Sequence, residues 1–170
     1  TSGGSNTALG YAALDANTTA SNNTAVGSSA LLSNTTATDN VAVGALALKD
    51  NTTGSQNTAV GRYAAQNVTT GTFNTAVGYE ALDTATSASY NVTFGVYSGR
   101  DTTTGGYNTF LGAHSGNSNT TGVDNVYIGY SAGSYSIPMT TGYNNTVVGA
   151  YSRPSANNGN DQIVLGRNQV

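Results

Sequence analysis

The sequence predicts an all-β solenoid, and three observations carry that prediction. A five-residue segment of the type N-T-A-V-G returns ten times. Its spacing is 17 residues at every step but one. Charged residues make up only 8% of the chain, while Gly, Thr and Asn fill 70 of its 170 positions. Ordinary soluble domains carry about a quarter charged residues, and Thr, Asn and Gly favour strands and turns over helices. Helical repeats need about 30 residues or more and a propeller blade about 40, so a period of 17 fits one coil of a β-solenoid.

The copies begin at Asn6, Asn23, Asn40, Asn57, Asn74, Asn91, Asn108, Asn125, Asn145 and Gln162, and each coil is numbered here from that residue. The second position is always Thr, Val or Ile, and the fourth always Val, Leu, Ile or Phe. Side chains on a strand alternate, so these two share one face of a short strand. The third position, on the opposite face, is Ala in five copies and then Thr93, Phe110, Tyr127, Val147 and Val164. The fifth is Gly throughout: Gly10, Gly27, Gly44, Gly61, Gly78, Gly95, Gly112, Gly129, Gly149 and Gly166. Invariance within one chain points to a positive φ or to a backbone approach too close for a Cβ. A second short strand is expected after this corner, with small residues at the eighth position. The ninth position is Leu in Leu14, Leu31, Leu48 and Leu82, and then Gly in Gly99, Gly116 and Gly133. A polar loop of the form N-T-T-G closes the coil, clearest from Asn17, Asn34, Asn51 and Asn119. At the strand spacing of about 4.8 Å, ten coils make a rod roughly 45–50 Å long.

The chain therefore reads as one repeat domain over 1–170, regular and Ala/Leu-rich over 1–90 and aromatic-rich over 91–170. The step from Asn125 to Asn145 is 20 residues, a three-residue insertion placed within 134–139. The strand is apolar on both faces, whereas a thin coil has one inside. The other face must meet solvent or another chain, and a long exposed apolar stripe is unusual for a monomer. Cyclic symmetry lets identical chains share such a stripe, so a homotrimer is expected. Thr1–Gly3 aligns with the loop and Val170 with the ninth position, without polar caps. A segment of a longer fibre, or one stacking end to end, is the corresponding expectation.

The tandem form NTAVGYxAL…NTTG, seen in Asn74–Leu82 and Asn6–Leu14, resembles repeats of phage tail-fibre and related bacterial fibre proteins. More distantly, it is similar to the heads of trimeric autotransporter adhesins, although the 17-residue period departs from the adhesin pattern. The resemblance covers essentially the whole chain. It implies a trimeric β-roll or β-helix, a role in a fibre, and attachment to a cell surface.

Little in the sequence points to chemistry. Without Cys there are no disulfides, thiolate nucleophiles or Cys-based zinc sites. The acids Asp15, Asp39, Asp50, Asp83, Asp101, Asp124 and Asp161 fall in or beside the loops, where Asp satisfies local backbone N–H groups. Glu80 meets Tyr63 and Tyr97 rather than a second acid in its column. His114 is alone; meeting symmetry mates on an axis could make it a metal ligand, but a plain surface role is the expectation. No catalytic residue, metal or cofactor is assigned. A net charge of −3 argues against nucleic acid, and no stretch approaches the roughly 20 apolar residues of a membrane span. Adjacent Thr pairs in the loops do not form the alternating array that ice binding needs, and the strand Thr column is expected inside. The sequons at Asn17, Asn34, Asn51, Asn91 and Asn119 are expected in exposed loops, with Asn and Thr read as turn and ladder residues.

The aromatic half is the informative asymmetry. Tyr with Arg and Asn suits carbohydrate contact, and insertions in solenoids map to binding faces. Candidate contacts with a cell-surface glycan are Arg100, His114, Tyr135, Met139, Tyr143 and Tyr151. For Phe110 and Tyr127, glycan contact and core filling opposite the ninth-position glycines both stay open. The expectation is a non-enzymatic, extracellular fibre protein whose partners are its own copies and a surface carbohydrate. A bacterial trimeric adhesin and a polysaccharide-degrading tailspike are the alternatives.

Overall fold

The computed structural model of the chain describes residues 3–134, 140–154 and 159–166. Each copy of the repeat forms one three-residue strand: β1 (Thr7–Leu9), β2 (Thr24–Val26), β3 (Val41–Val43), β4 (Thr58–Val60), β5 (Thr75–Val77), β6 (Val92–Phe94), β7 (Thr109–Leu111), β8 (Val126–Ile128), β9 (Thr146–Val148) and β10 (Ile163–Leu165). These strands stack in sequence order as a single ten-stranded parallel sheet, in a β-solenoid of about nine turns. The register is the repeat register, with Thr24 opposite Val41 and Ala25 opposite Ala42. It survives the insertion, because Val126 pairs with Thr146.

Among the described residues the expected second strand does not form. Residues at the seventh and seventeenth positions have φ near +55°, as do those at the ninth position of the first eight coils; examples are Tyr97 at 57°, Leu48 at 49° and Asp39 at 61°. Left-handed residues between right-handed ones turn the chain, and they aim alternate N–H groups at the two neighbouring coils. Ser29 N–H donates to the carbonyl of Tyr11 in the preceding coil at 2.8 Å, while Leu31 N–H donates to Ala47 in the following coil at 3.0 Å. A strand would spend those bonds on a flat ladder, whereas this alternation closes a 17-residue loop. Non-glycine residues avoid φ > 0, yet the first nine coils repeat it, and the inter-coil hydrogen bonds hold it in place.

The inside of the coil is lined by the third, eighth, ninth, twelfth and fifteenth positions, together with the strand-opening Asn. Ala25, Ala42, Ala59 and Ala76 are buried on one side, and Leu31, Leu48 and Leu82 on the other. From the sixth coil the volumes exchange. Phe110 and Tyr127 are fully buried and stacked at 5.2 Å. A Cβ on Gly116 would lie 2.7 Å from the Phe110 ring. Core filling is thus the role of both aromatics. Burial also pushes the Tyr127 hydroxyl well above its ordinary pKa.

The strand-opening asparagines form a buried ladder. Each backbone N–H from Asn23 to Gln162 donates to the side-chain carbonyl of the equivalent Asn one coil earlier, at 2.9–3.1 Å. Their amides reach across the coil, as when Asn57 Nδ2 donates to the Gly71 carbonyl at 2.8 Å. Two sequon positions contradict the exposed-loop expectation in the same way: Asn34 and Asn51 are buried and donate to Ala37 and Gly54. Asn91 and Asn119 are buried as well. Oligosaccharide transfer needs an exposed amide, so these four are closed to glycosylation in the folded coil. The Thr that follows forms its own ladder, since Thr18 Oγ1 donates to the Thr35 carbonyl at 3.0 Å and Thr35 Oγ1 to that of Thr52 at 3.2 Å.

The strand Thr column faces outward, which corrects the inside placement expected from the sequence. Thr24, Thr58, Thr75, Thr109 and Thr146 are half-exposed beside the fourth-position apolar residues. Sides are set by what the third position must do. A coil this narrow accepts only one strand face, and that face carries Ala where Leu stands opposite.

Candidate functional site

The sheet's outer face and its two flanks hold the surface features of the molecule. On the outer face, the second and fourth positions of all ten strands contain Thr, Val, Leu, Ile and Phe, without one charge. Phe94 is 58% exposed and Leu165 75%.

The flank that follows the Gly corner carries a ridge of rings. The backbone leaves the corner with the sixth residue pointing outward and the left-handed seventh beside it, so an aromatic at either place reaches the same line. Tyr63, Tyr79, Tyr97, His114, Tyr130 and Tyr151 supply one ring on each of six successive coils. Their centroids are 5.9, 5.4, 5.0, 5.7 and 5.1 Å apart. Four of these five contacts are edge-to-face, the preferred geometry for ring quadrupoles, and His114 tilts against Tyr97 at 36°. Arg62 lies 4.4 Å from the Tyr63 centroid, and its Nη2 donates to the Tyr63 hydroxyl at 2.7 Å. Arg100 lies 5.4 Å from the Tyr97 centroid and donates to both carboxylate oxygens of Asp101, at 2.8 and 3.1 Å. That pairing raises the Arg100 pKa further. The neighbouring Glu80 carboxylate pushes the Tyr79 phenol up to about 12.

The opposite flank carries a shorter, different stack. Phe73, Tyr90 and Tyr107 occupy the seventeenth position of three successive coils, with centroids 4.8 and 4.9 Å apart and planes within 9°. In the other coils this column is polar, and Asn22 Nδ2 donates to Asp39 Oδ1 at 3.0 Å, as Asn144 does to Asp161.

Of the residues singled out from the sequence, His114, Tyr151 and Arg100 come together on the ridge. Tyr143 does not: it sits at the sixteenth position, on the other flank of the strand. Tyr135 and Met139, with most of the insertion, lie outside the described residues. The sequence-based candidates did not include Tyr63, Tyr79, Tyr97, Tyr130 or Arg62. The signal was present as aromatics at the sixth or seventh position in consecutive copies, but alternation between two columns hid a single line.

Glu80, Asp101 and Asp50 lie close enough to Asp83 to act on its charge. Asp83 is pushed up to about 6, first by burial and then by Glu80 nearby; Asn67 Nδ2 donates to its Oδ1 at 3.3 Å. Among the described residues, no group of three or more His, Cys, Asp or Glu side chains could hold a metal ion, and no helix is long and apolar enough to cross a membrane. All ten fifth-position glycines have positive φ. Gly78 has φ +138°, and a Cβ there would lie 2.6 Å from the Gly95 carbonyl carbon; at Gly166 a Cβ would meet open space. Compared with known proteins, the chain matches no family model, no curated protein and no solved structure.

Proposed function

We propose that this chain is a non-enzymatic structural rod, a segment of an extracellular fibre such as a phage tail fibre or surface appendage, in which three copies pack through their strand faces. The observation that carries the reading is the uncharged outer face of ten stacked strands. Nine inter-strand steps of about 4.8 Å and a strand of three residues make that face about 45 Å by 10 Å. That area matches the largest patch on an ordinary monomer, on the order of 300–600 Å², and such patches are often interaction sites. The inter-coil ladders suit a rod: coils two to seven are each tied to both neighbours by the strand, the Asn column and the Thr loop, so bending breaks several bonds at once. Cyclic symmetry buries the same face of each chain, and three is the number that the resemblance to fibre repeats implies.

Mass in solution tests the proposal. Three chains of 17.1 kDa give about 51 kDa, and Val60→Lys with Val77→Lys, both on the outer face, is expected to yield folded monomers. A wild-type protein that stays at 17.1 kDa in the micromolar range would remove the reading. Loss of polymer viscosity on incubation with the purified rod would overturn its non-enzymatic part.

A further inference from the structure

We infer that the six-ring ridge from Tyr63 to Tyr151 is a platform for a neutral, extended polysaccharide lying along the rod axis, one sugar per coil. The inference deepens the fibre reading and rests on it in one respect: the ridge flanks the strand face and has to stay on the outside of the assembly.

The platform is one-dimensional. Six successive coils contribute one ring each, and five steps of about 4.8 Å make it about 24 Å long. A compact ligand would touch two rings, whereas only a linear polymer can use six. Its repeat must also stay in phase with the coil. An extended peptide advances about 3.3 Å per residue and drifts off the rings within two coils. A hexopyranose unit in an extended β-linked chain advances by close to one coil.

The chemistry selects sugars. Ring faces carry negative quadrupole potential, which attracts the C–H-rich face of a pyranose, and phenol hydroxyls at the ring edges both donate and accept hydrogen bonds. Charge narrows the class. Arg62 and Arg100 already lie against ring faces and disfavour a polycation. Glu80 and Asp101 on the same flank disfavour a polyanion, and Asp101 neutralises Arg100 through two hydrogen bonds. Single-stranded nucleic acid also stacks on aromatics, but it needs a cationic groove, and the chain carries a net charge of −3. Exposure is greatest where the ridge ends: Tyr130 is 46% exposed and Tyr151 39%.

The test is titration calorimetry of the intact protein with neutral β-1,4-linked hexasaccharides of glucose, N-acetylglucosamine, mannose and xylose. The corresponding disaccharides and a hyaluronan hexasaccharide complete the set. At least one neutral hexamer is expected to bind at least tenfold more tightly than its disaccharide. Tyr97→Ala with Tyr130→Ala is expected to weaken that binding at least tenfold, and Tyr130→Phe, which keeps the ring, less than threefold. Tyr90→Ala with Tyr107→Ala, on the opposite flank, is expected to change it less than twofold. Overturning results are no binding of any neutral hexamer, binding of hyaluronan alone, no gain with chain length, or equal loss from both double substitutions. Mass and circular dichroism on the same samples separate the two proposals. A folded monomer that binds removes the trimeric rod and keeps the platform, and a trimer that binds nothing does the reverse.

Discussion

The first five coils and the three that follow solve one packing problem in two ways. In the early coils other than the fourth, where Ala65 takes the ninth place, Ala at the third position faces Leu at the ninth, as Ala42 and Leu48 do. In the later coils Phe110 and Tyr127 enter from the strand side, and Gly99, Gly116 and Gly133 stand opposite. The backbone is the same in both: Leu48 has φ 49° and Gly116 φ 58°. The ninth-position glycines are therefore not there for conformational freedom, because Leu tolerates that φ in neighbouring coils. They are there for space. The fifth-position glycines of the first seven coils are the opposite case, with φ near +135° and the next coil's backbone within 2.6 Å of a would-be Cβ.

That contrast can be broken at several points. The largest effect is expected from Gly78→Val, which combines a forbidden φ with a backbone clash; the cost is about 4 kcal/mol, read as loss of cooperative thermal unfolding. Gly116→Leu follows at about 3 kcal/mol from overpacking alone. Adding Phe110→Ala to it is expected to restore a large part of that loss, and a double-mutant cycle with no coupling would show that the two positions do not share volume. Leu48→Ala leaves a cavity in the early coils and costs about 3 kcal/mol. Asn74→Ala removes an acceptor from Asn91 N–H and a donor to the Ala88 carbonyl. Its cost is about 2 kcal/mol, and Asn74→Asp is not expected to recover it, because a carboxylate lacks the donor.

The smallest effect depends on pH. The Asp83 carboxyl titrates at about 6 in the fold against 3.8 ordinarily, so the fold prefers its neutral form. Its favourable contribution is complete below about pH 4 and is lost as pH rises through about 6. Asp83→Asn is accordingly expected to raise the melting temperature at pH 7.5 and to leave it unchanged at pH 3.5. Partial exposure screens the gain to below about 1 kcal/mol. Equal shifts at both pH values would mean that the carboxyl's charge is not what the fold resists.

Much of this was legible in the repeat. Copies at fixed spacing dictate stacked parallel strands in register, since identical segments pair best with themselves, and a glycine in all ten copies marks the corner. The ridge was half legible: His114, Arg100 and Tyr151 stood out by type, whereas Tyr63 and Tyr79 did not, because adjacent columns converge only once the backbone is left-handed between them. The second strand was misread for the same reason. A run of alternating small and apolar residues fits a strand as well as it fits a right- and left-handed alternation, and only the inter-coil hydrogen bonds distinguish them.

By itself the sequence determined the strand, its partners, the period and the corner glycines, all of which follow from local chemistry repeated at constant spacing. The tertiary structure alone decided which strand face is buried, that the strand-opening Asn forms a buried ladder, and that Phe110 and Tyr127 are core. The physical reason is that these depend on what stands across the coil, six to fourteen positions away, where volume and hydrogen-bond partners must match. The repeat period is a one-dimensional property of the chain, and the inside of a coil is not.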